Sequence, residues 1–234
     1  MKIKKLINKI EERFAKRNSQ SYIKYLRKLG IKIGNNTFIR DPRSFTIDHS
    51  RPASISIGNN VRFNLNTSII AHDAAAKVFR TVYNDYLPSN GRIVIGNNIW
   101  FGRNVCVLKG STIGDNCIVG FGSTIMGNIP SNSVVAGTPA RVICTLDEYY
   151  KRRKEKALEE SLEYARSIKE RFSRRPEPKD FFESFVFFVD GDKVGLYPEI
   201  PIKYQLGPAF EHYRKYHKAP YSSFDEFLKA AGIE

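Results

Sequence analysis

The stretch IVIGNNIWFGRNVCVLKGSTIGDNCIVGFGSTI, Ile93 to Ile125, repeats in sixes. Ile95, Phe101, Val107, Ile113, Val119 and Ile125 stand one hexad apart, and most are followed by a small or polar residue. An α-helix repeats near 3.6 residues and a strand near 2, so neither gives this period. A hexad period predicts one short strand and one turn per repeat, stacked so that every sixth side chain points inward.

The period extends upstream. IGNN recurs at Ile33, Ile57 and Ile95, and IGDN follows at Ile113. Ile95 and Ile113 are three hexads apart, which predicts one coil of triangular section. Ile33 to Ile57 is one coil plus a further hexad, and Ile57 to Ile95 exceeds one coil by more than three hexads. That larger surplus predicts an outward excursion over residues 72–91, opening with His72 and Asp73.

These repeats, with the closing VVAGTPARVI of Val134 to Ile143, resemble the hexapeptide-repeat acyltransferases. The likeness is closest to galactoside and maltose O-acetyltransferases and to acetyltransferases that decorate capsule and O-antigen sugars. It implies a mainly β fold, a left-handed parallel β-helix, contrary to the usual right-handed crossover. It also implies acetyl-CoA as co-substrate, a cyclic homotrimer and active sites between subunits. Three regions are expected: an N-terminal helical cap over 1–30, the coil over 31–145 and an α-rich extension over 146–234.

Charge is unevenly placed along the 234 residues. Of the net +14, residues 1–30 carry +8, residues 31–145 carry +6, and the remainder sums to zero. That distribution suits an anionic ligand such as coenzyme A, or an anionic surface. Nucleic acid fits the charge but no nucleic-acid module is visible, so no such partner is expected. No apolar run is long enough to span a bilayer, and the charged N-terminal residues lack the apolar core of a signal peptide. Cys106, Cys117 and Cys144 have no metal-ligand spacing and read as reduced residues of a cytoplasmic protein.

Ile3, Leu6, Ile7, Ile10 and Phe14 make an amphipathic stripe over residues 2–17. The expected role is a plug over the first coil, which otherwise exposes strand edges. The alternative is weak contact with the anionic inner face of a membrane. A second helix over Tyr22–Leu29 ends at Gly30. Thr145 and Glu148 form a capping box for a long helix whose stripe is Leu158, Leu162, Ala165, Ile168 and Phe172. FFESFVFFVDGDK, Phe181 to Lys193, reads as a short strand or helix, and residues 209–232 read as helix again, with Ser223 and Glu226 as a second capping box. The extension is expected to pack against the coils or a neighbouring subunit.

Acetyl transfer from a thioester to a hydroxyl needs a base for the hydroxyl proton and donors for the oxyanion, and needs no metal. Histidine suits the base, since its unperturbed pKa lies near ~6.5. Of the four histidines, His72 matches the family's catalytic histidine. His49 lies in the irregular early coil, and His212 and His217 lie in the extension. Asp73 or a backbone carbonyl is expected to orient His72. Asp41, Asp48 and Asp73 are the candidate acceptor-binding residues. The resemblance points to Trp100, Gly102, Arg103, Gly120, Phe121, Gly122, Met126 and Arg141 for coenzyme A. Trp100 walls the acyl site and Arg141 meets the nucleotide end. The glycines have a plainer reading, that the turns need them. Phe121 replaces the family's usual alanine, and Met126-Gly127 replaces Thr-Lys.

The leading expectation is an acetyl-CoA-dependent O-acetyltransferase acting on a sugar hydroxyl of a surface polysaccharide or its precursor. An N-acetyltransferase of a nucleotide-linked amino sugar is the alternative. A zinc enzyme on the same coil needs three converging histidines, and only His49 and His72 lie in the coil region. A non-catalytic scaffold does not account for His72, Trp100 and TPARVI together.

Overall fold

The computed structural model describes residues 2–234, with side chains from Lys9 onward. The chain forms two compact units, one up to Tyr149 and one over Tyr150–Glu234.

The first unit opens with helices α1 (Lys2–Ala15) and α2 (Ser19–Lys28). Four coils follow. The first has strands β1 (Lys32–Ile33), β2 (Phe38–Ile39) and β3 (Thr46–Ile47), and the second β4 (Ile55–Ile57), β5 (Val61–Phe63) and β6 (Ser68–Ile70). Between the second and third coils lie β7 (His72–Asp73), helix α3 (Ala76–Val82) and β8 (Ser89–Asn90). The third coil has β9 (Ile93–Ile95), β10 (Ile99–Phe101) and β11 (Cys106–Leu108), and the fourth β12 (Thr112–Ile113), β13 (Cys117–Val119) and β14 (Thr124–Ile125). Strands β15 (Asn128–Ile129), β16 (Ser133–Gly137) and β17 (Ala140–Thr145) close it.

Like-placed strands stack in parallel into three sheets, ordered β1-β4-β9-β12-β15, β2-β5-β10-β13-β16 and β3-β6-β11-β14, with β17 antiparallel on β16. Ile95 stands beside Ile113 and Phe101 beside Val119, so one coil is three hexads, as the period requires. Ile95, Phe101, Val107, Ile113, Val119 and Ile125 are all at most 2 % exposed. Burying each such side chain is worth roughly 1.5–3 kcal/mol relative to leaving it in water. The second asparagine of each IGNN occupies the left-handed region: Asn36, Asn60 and Asn98 have φ of 53°, 56° and 56°. Asparagine tolerates that conformation. Their side-chain amides run on through Asn116 to Asn132 in a hydrogen-bonded ladder of 2.8–2.9 Å steps.

The surplus between Ile57 and Ile95 is the β7–α3–β8 excursion, tied at its base by antiparallel pairing of His72 with Asn90. A second irregularity sits in the first coil. Phe38 pairs with Arg62 and Thr46 with Ser68, so the path from β2 to β3 is longer by two positions than the path from β5 to β6. The extra length lies in the turn holding Asp41, Pro42, Arg43 and Ser44.

The cap is described in part. Helix α2 does the plugging, with Tyr22, Ile23, Tyr25 and Leu26 buried in the coil core. On α1, Ile10 is 48 % and Phe14 69 % exposed, and the stripe members Ile3, Leu6 and Ile7 fall outside the described side chains. The described part of that face, Ile10 and Phe14, is open to water, while Ala15 at the helix end packs against the coil core.

Helix α4 (Leu146–Phe172) leads into the second unit. Its capping box forms: Thr145 Oγ1 accepts from Glu148 N at 3.2 Å and Glu148 Oε2 accepts from Thr145 N at 2.8 Å. Leu162, Ala165 and Ile168 are buried against Phe181, Phe185, Phe188, Phe224 and Phe227, whereas Phe172, at the helix end, is exposed. The aromatic stretch forms neither strand nor α-helix but 3-10 turns at Pro178–Phe181, Phe185–Phe187 and Gly191–Leu196, which let successive phenylalanines reach one core. Beyond α5 (Ile202–Leu206), the helix expected over 209–232 is two: α6 (Phe210–Tyr216) and α7 (Phe224–Ala230). Pro220, which lacks an N–H to continue a helix, lies in the break. Ser223 Oγ caps Glu226 N at 3.2 Å, but the Glu226 carboxylate accepts from Ser222 N at 2.9 Å.

Candidate active site

Strands β3 and β6 stack in the same sheet; Asp48 follows β3 directly, and His72 follows β6 after the buried Ala71. Asp48 N donates to Ile69 O at 3.0 Å, which fixes the start of the turn after β3. His72 begins β7, just beyond β6. The two side chains meet: the Asp48 carboxylate is hydrogen-bonded to His72 Nδ1. Ser50 closes the turn, its N and Oγ donating to Asp48 Oδ1 at 3.0 and 2.7 Å.

The Asp48 side chain is only 6 % exposed, while His72 is 39 % exposed. Burial pushes the Asp48 carboxyl upward, but the hydrogen bonds from Ser50 and His72 outweigh it, and the net shift is below the ordinary value. An ionised carboxylate only accepts, so His72 Nδ1 carries the proton and the Nε2 lone pair is left for another partner. This is the tautomer a general base requires.

Asp48 therefore orients His72, in place of Asp73 or a backbone carbonyl. Asp73 turns the other way. It accepts from Ala75 N and Ser89 Oγ, both at 2.9 Å, and is ion-paired with Lys109, whose hydrogen bond holds its carboxyl down to about 2. The Asp73–Lys109 contact ties the excursion to the third coil. Asp41 makes an Asx turn, accepting from Arg43 N at 2.9 Å, and does not meet His72. His49 packs between Tyr22 and Tyr25, its Nε2 3.2 Å from Tyr22 Oη. His212 and His217 belong to the second unit.

The remaining candidates lie at two corners of the coil. Gly102 and Arg103 follow β10, and Gly120, Phe121 and Gly122 follow β13 one coil on; Gly122 N donates to Arg103 O at 2.9 Å. A Cβ on Gly102 would stand 2.8 Å from Phe121 N, and Gly122 has φ +68°, so the coil's own stacking accounts for both glycines. A Cβ on Gly120 would meet Ala136 at 3.0 Å, and Ala136 pairs with Arg141 on β17. Gly102, Gly120 and Ala136 thus form a column of small residues ending at Arg141. Trp100, on β10, is 46 % exposed beside it, and Phe121 is 69 % exposed. Met126, 56 % exposed, follows β14 and so lies at the other corner, one coil on from Leu108.

Ser50 and Lys109 were not anticipated. A signal existed for Ser50, since DHS after a β-rich hexad is an Asx-turn sequence. None existed for Lys109, whose partner Asp73 is remote in the chain.

The family profile described as bacterial transferase hexapeptide (six repeats) matches residues 92–127. Galactoside O-acetyltransferase of Escherichia coli K12 is 32 % identical over 141 residues, covering 53 % of this chain and 68 % of that protein. Protein CapG of Staphylococcus aureus is 32 % identical over 128 residues, covering 53 % of this chain and 71 % of its own length. The chain belongs to the hexapeptide-repeat acyltransferases. Its coil is the left-handed parallel β-helix of that family, and the protein is an acyltransferase. A solved galactoside acetyltransferase in complex with coenzyme A is 24 % identical, covers 62 % of this chain and 82 % of that one, and superposes with a TM-score of 0.44. Among the described residues, no helix is long and apolar enough to cross a membrane.

Proposed function

We propose that the protein transfers the acetyl group of acetyl-CoA to a sugar hydroxyl of a surface polysaccharide or its precursor, with His72 as general base. The observation that carries this reading is the Asp48–His72 pair, with its carboxylate buried and the imidazole edge open to solvent. Nε2 of His72 takes the proton of the acceptor hydroxyl as its oxygen attacks the thioester carbonyl carbon. The tetrahedral intermediate collapses with cleavage of the C–S bond, and the thiolate leaves with the proton returned from His72. Asp48 stabilises the transient imidazolium and holds the ring's orientation. A hydroxyl, unlike an amine, needs this base, which favours O-transfer over N-transfer. The sugar acceptor is inferred from the kind of relative, the galactoside O-acetyltransferase.

Coenzyme A is placed along the column Gly102–Gly120–Ala136, where absent or small side chains leave the backbone approachable, with Trp100 and Phe121 as walls and Arg141 toward its phosphates. The column follows the strands of one sheet and His72 follows those of another, so they sit at different corners of the β-helix. A homotrimer in which the column of one copy faces His72 of the next completes the site, and we assign the working protein that assembly. Its place is the cytoplasm, where acetyl-CoA is made, with the cationic N-terminal segment able to meet the inner membrane face.

The test is incubation with acetyl-CoA and a panel of sugars, following thiol release. Acceptor-dependent release by the native chain and not by His72→Ala supports the reading. Release only with amino sugars, spared in His72→Ala, replaces it with N-acetylation.

A further inference from the structure

A groove of ≈ 730 Å³ lies between the C-terminal half of α1 and the long turn of the first coil, lined by Lys9, Glu12, Arg13, Phe14, Lys16, Arg17 and Arg43. Five of these seven are cationic and one is acidic. The acid is already engaged: Glu12 pairs with Lys16 at 3.1 Å and lies 3.7 Å from His49 Nδ1. Arg17 donates only to a neutral group, Ser21 Oγ, at 3.4 Å. Lys9, Arg13 and Arg43 make no ion pair among the described residues. Four cations thus converge on one concavity without a counter-charge, an arrangement that an anion relieves.

Glu12 of the groove faces His49, His49 adjoins Asp48 in the chain, and Asp48 holds His72. Three arginines with forked donors match phosphoryl oxygens, and the charge excess suits a dianion or more. Exposed Phe14 adds an apolar wall that a simple inorganic ion would not use.

We propose that this groove binds the phosphate or diphosphate of a phosphorylated acceptor. This rests on the acceptor being a sugar precursor, as argued above. The carrier beyond the phosphate is either soluble, as in a nucleotide diphosphate, or a lipid in a membrane.

The direct test leaves acetyl transfer aside. Inorganic diphosphate is titrated calorimetrically into the full-length protein and into Arg13→Ala/Arg43→Ala at low salt, and both are sedimented with phosphatidylglycerol vesicles. Both substituted side chains are exposed, so the variant is expected to melt as the native chain does. If the carrier is soluble, diphosphate binds the native chain and the variant loses at least tenfold in affinity. If it is a lipid, vesicles bind, salt releases them, and the variant sediments at least tenfold less. In either case the KM for acetyl-CoA is unchanged. Equal binding by native and variant chains, or no binding of either probe, overturns the proposal. A variant whose KM for acetyl-CoA rises in step with its loss of diphosphate binding also overturns it, since the groove then serves coenzyme A. Failure of thiol release in the sugar panel, with diphosphate binding intact, would instead count against the acetyl-transfer reading alone.

Discussion

In the mechanism proposed above, the chemistry turns on one proton at His72. Its Nδ1 is committed to Asp48, and its Nε2 edge is accessible. Replacement by Ala would remove the proposed base from a site outside the coil core, so we expect the fold to survive and kcat to fall by roughly 10²–10⁴, the usual share of a general base. A variant within threefold of the native rate would remove His72 from the mechanism. Asp48→Asn tests the partner separately. An amide can donate to Nδ1, which stabilises the wrong tautomer, and it carries no charge to offset the imidazolium. We expect kcat to fall at least about tenfold with the KM for acetyl-CoA unchanged. Equal losses in kcat and in acetyl-CoA binding would place Asp48 in the cofactor site instead. That Asp48 rather than Asp73 is the partner was not legible in the sequence. Adjacency drew attention to Asp73, but a strand sends successive side chains to opposite faces, and Asp73 follows that rule toward Lys109. Finding Asp48 required knowing that the first coil takes up part of its extra length before β3, so that Ile47 stands beside Ile69.

At the scale of elements, the hexad period was enough to place every strand of the third and fourth coils, because each inward position must be apolar and each left-handed corner favours asparagine or glycine. Helix α1 shows the limit of periodicity: a helical stripe marks a face without saying what covers it. The described part of that face is open, and α2 carries the buried Tyr22, Ile23, Tyr25 and Leu26. Removing residues 1–14 is therefore expected to lower the melting temperature only slightly, whereas replacing Tyr22 and Leu26 with Ala should cost several kcal/mol. Truncation that aggregates the protein would restore α1 as the plug. The α1–α2 layer also makes stability pH-dependent through His49. Burial holds its pKa below the ordinary 6.5, against the pull of Glu12. The native state then resists a proton that the unfolded chain accepts. The contribution is complete above about pH 6.5 and is lost as pH falls below that, through the lower native value. The melting temperature should drop between pH 7.5 and 5.5, and His49→Gln should flatten that drop; identical profiles would exclude His49 as its source.

For the whole molecule, the exposed apolar surface of the first unit has a definite distribution. The excursion exposes Val78, Val82, Tyr83, Tyr86 and Leu87, each more than half accessible. Trp100, Phe121 and Met126 stand exposed on the coil. Scattered apolar residues need no explanation, but a projecting arm carrying five of them calls for a surface to cover it. A second copy offers one, and a head-to-tail contact between two different sides of the coil closes into a ring when repeated by a threefold rotation. In the trimer proposed above, that ring would set the column ending at Arg141 against His72 of a neighbour. We expect sedimentation to give three chains per particle at assay concentration. Val82→Glu/Tyr83→Glu, on the arm and away from the Asp48–His72 pair, should shift the particle to monomer and abolish turnover, while the coil's β-rich circular dichroism spectrum is retained. An active monomer, of the native chain or of this variant, would sink both the trimer and the shared site. The converse test uses mixing: inactive His72→Ala and an inactive Trp100/Arg141 variant, unfolded and refolded together, should regain activity, because some interfaces then pair an intact His72 corner with an intact column. No recovery, with mixed trimers demonstrated, would confine each site to one chain.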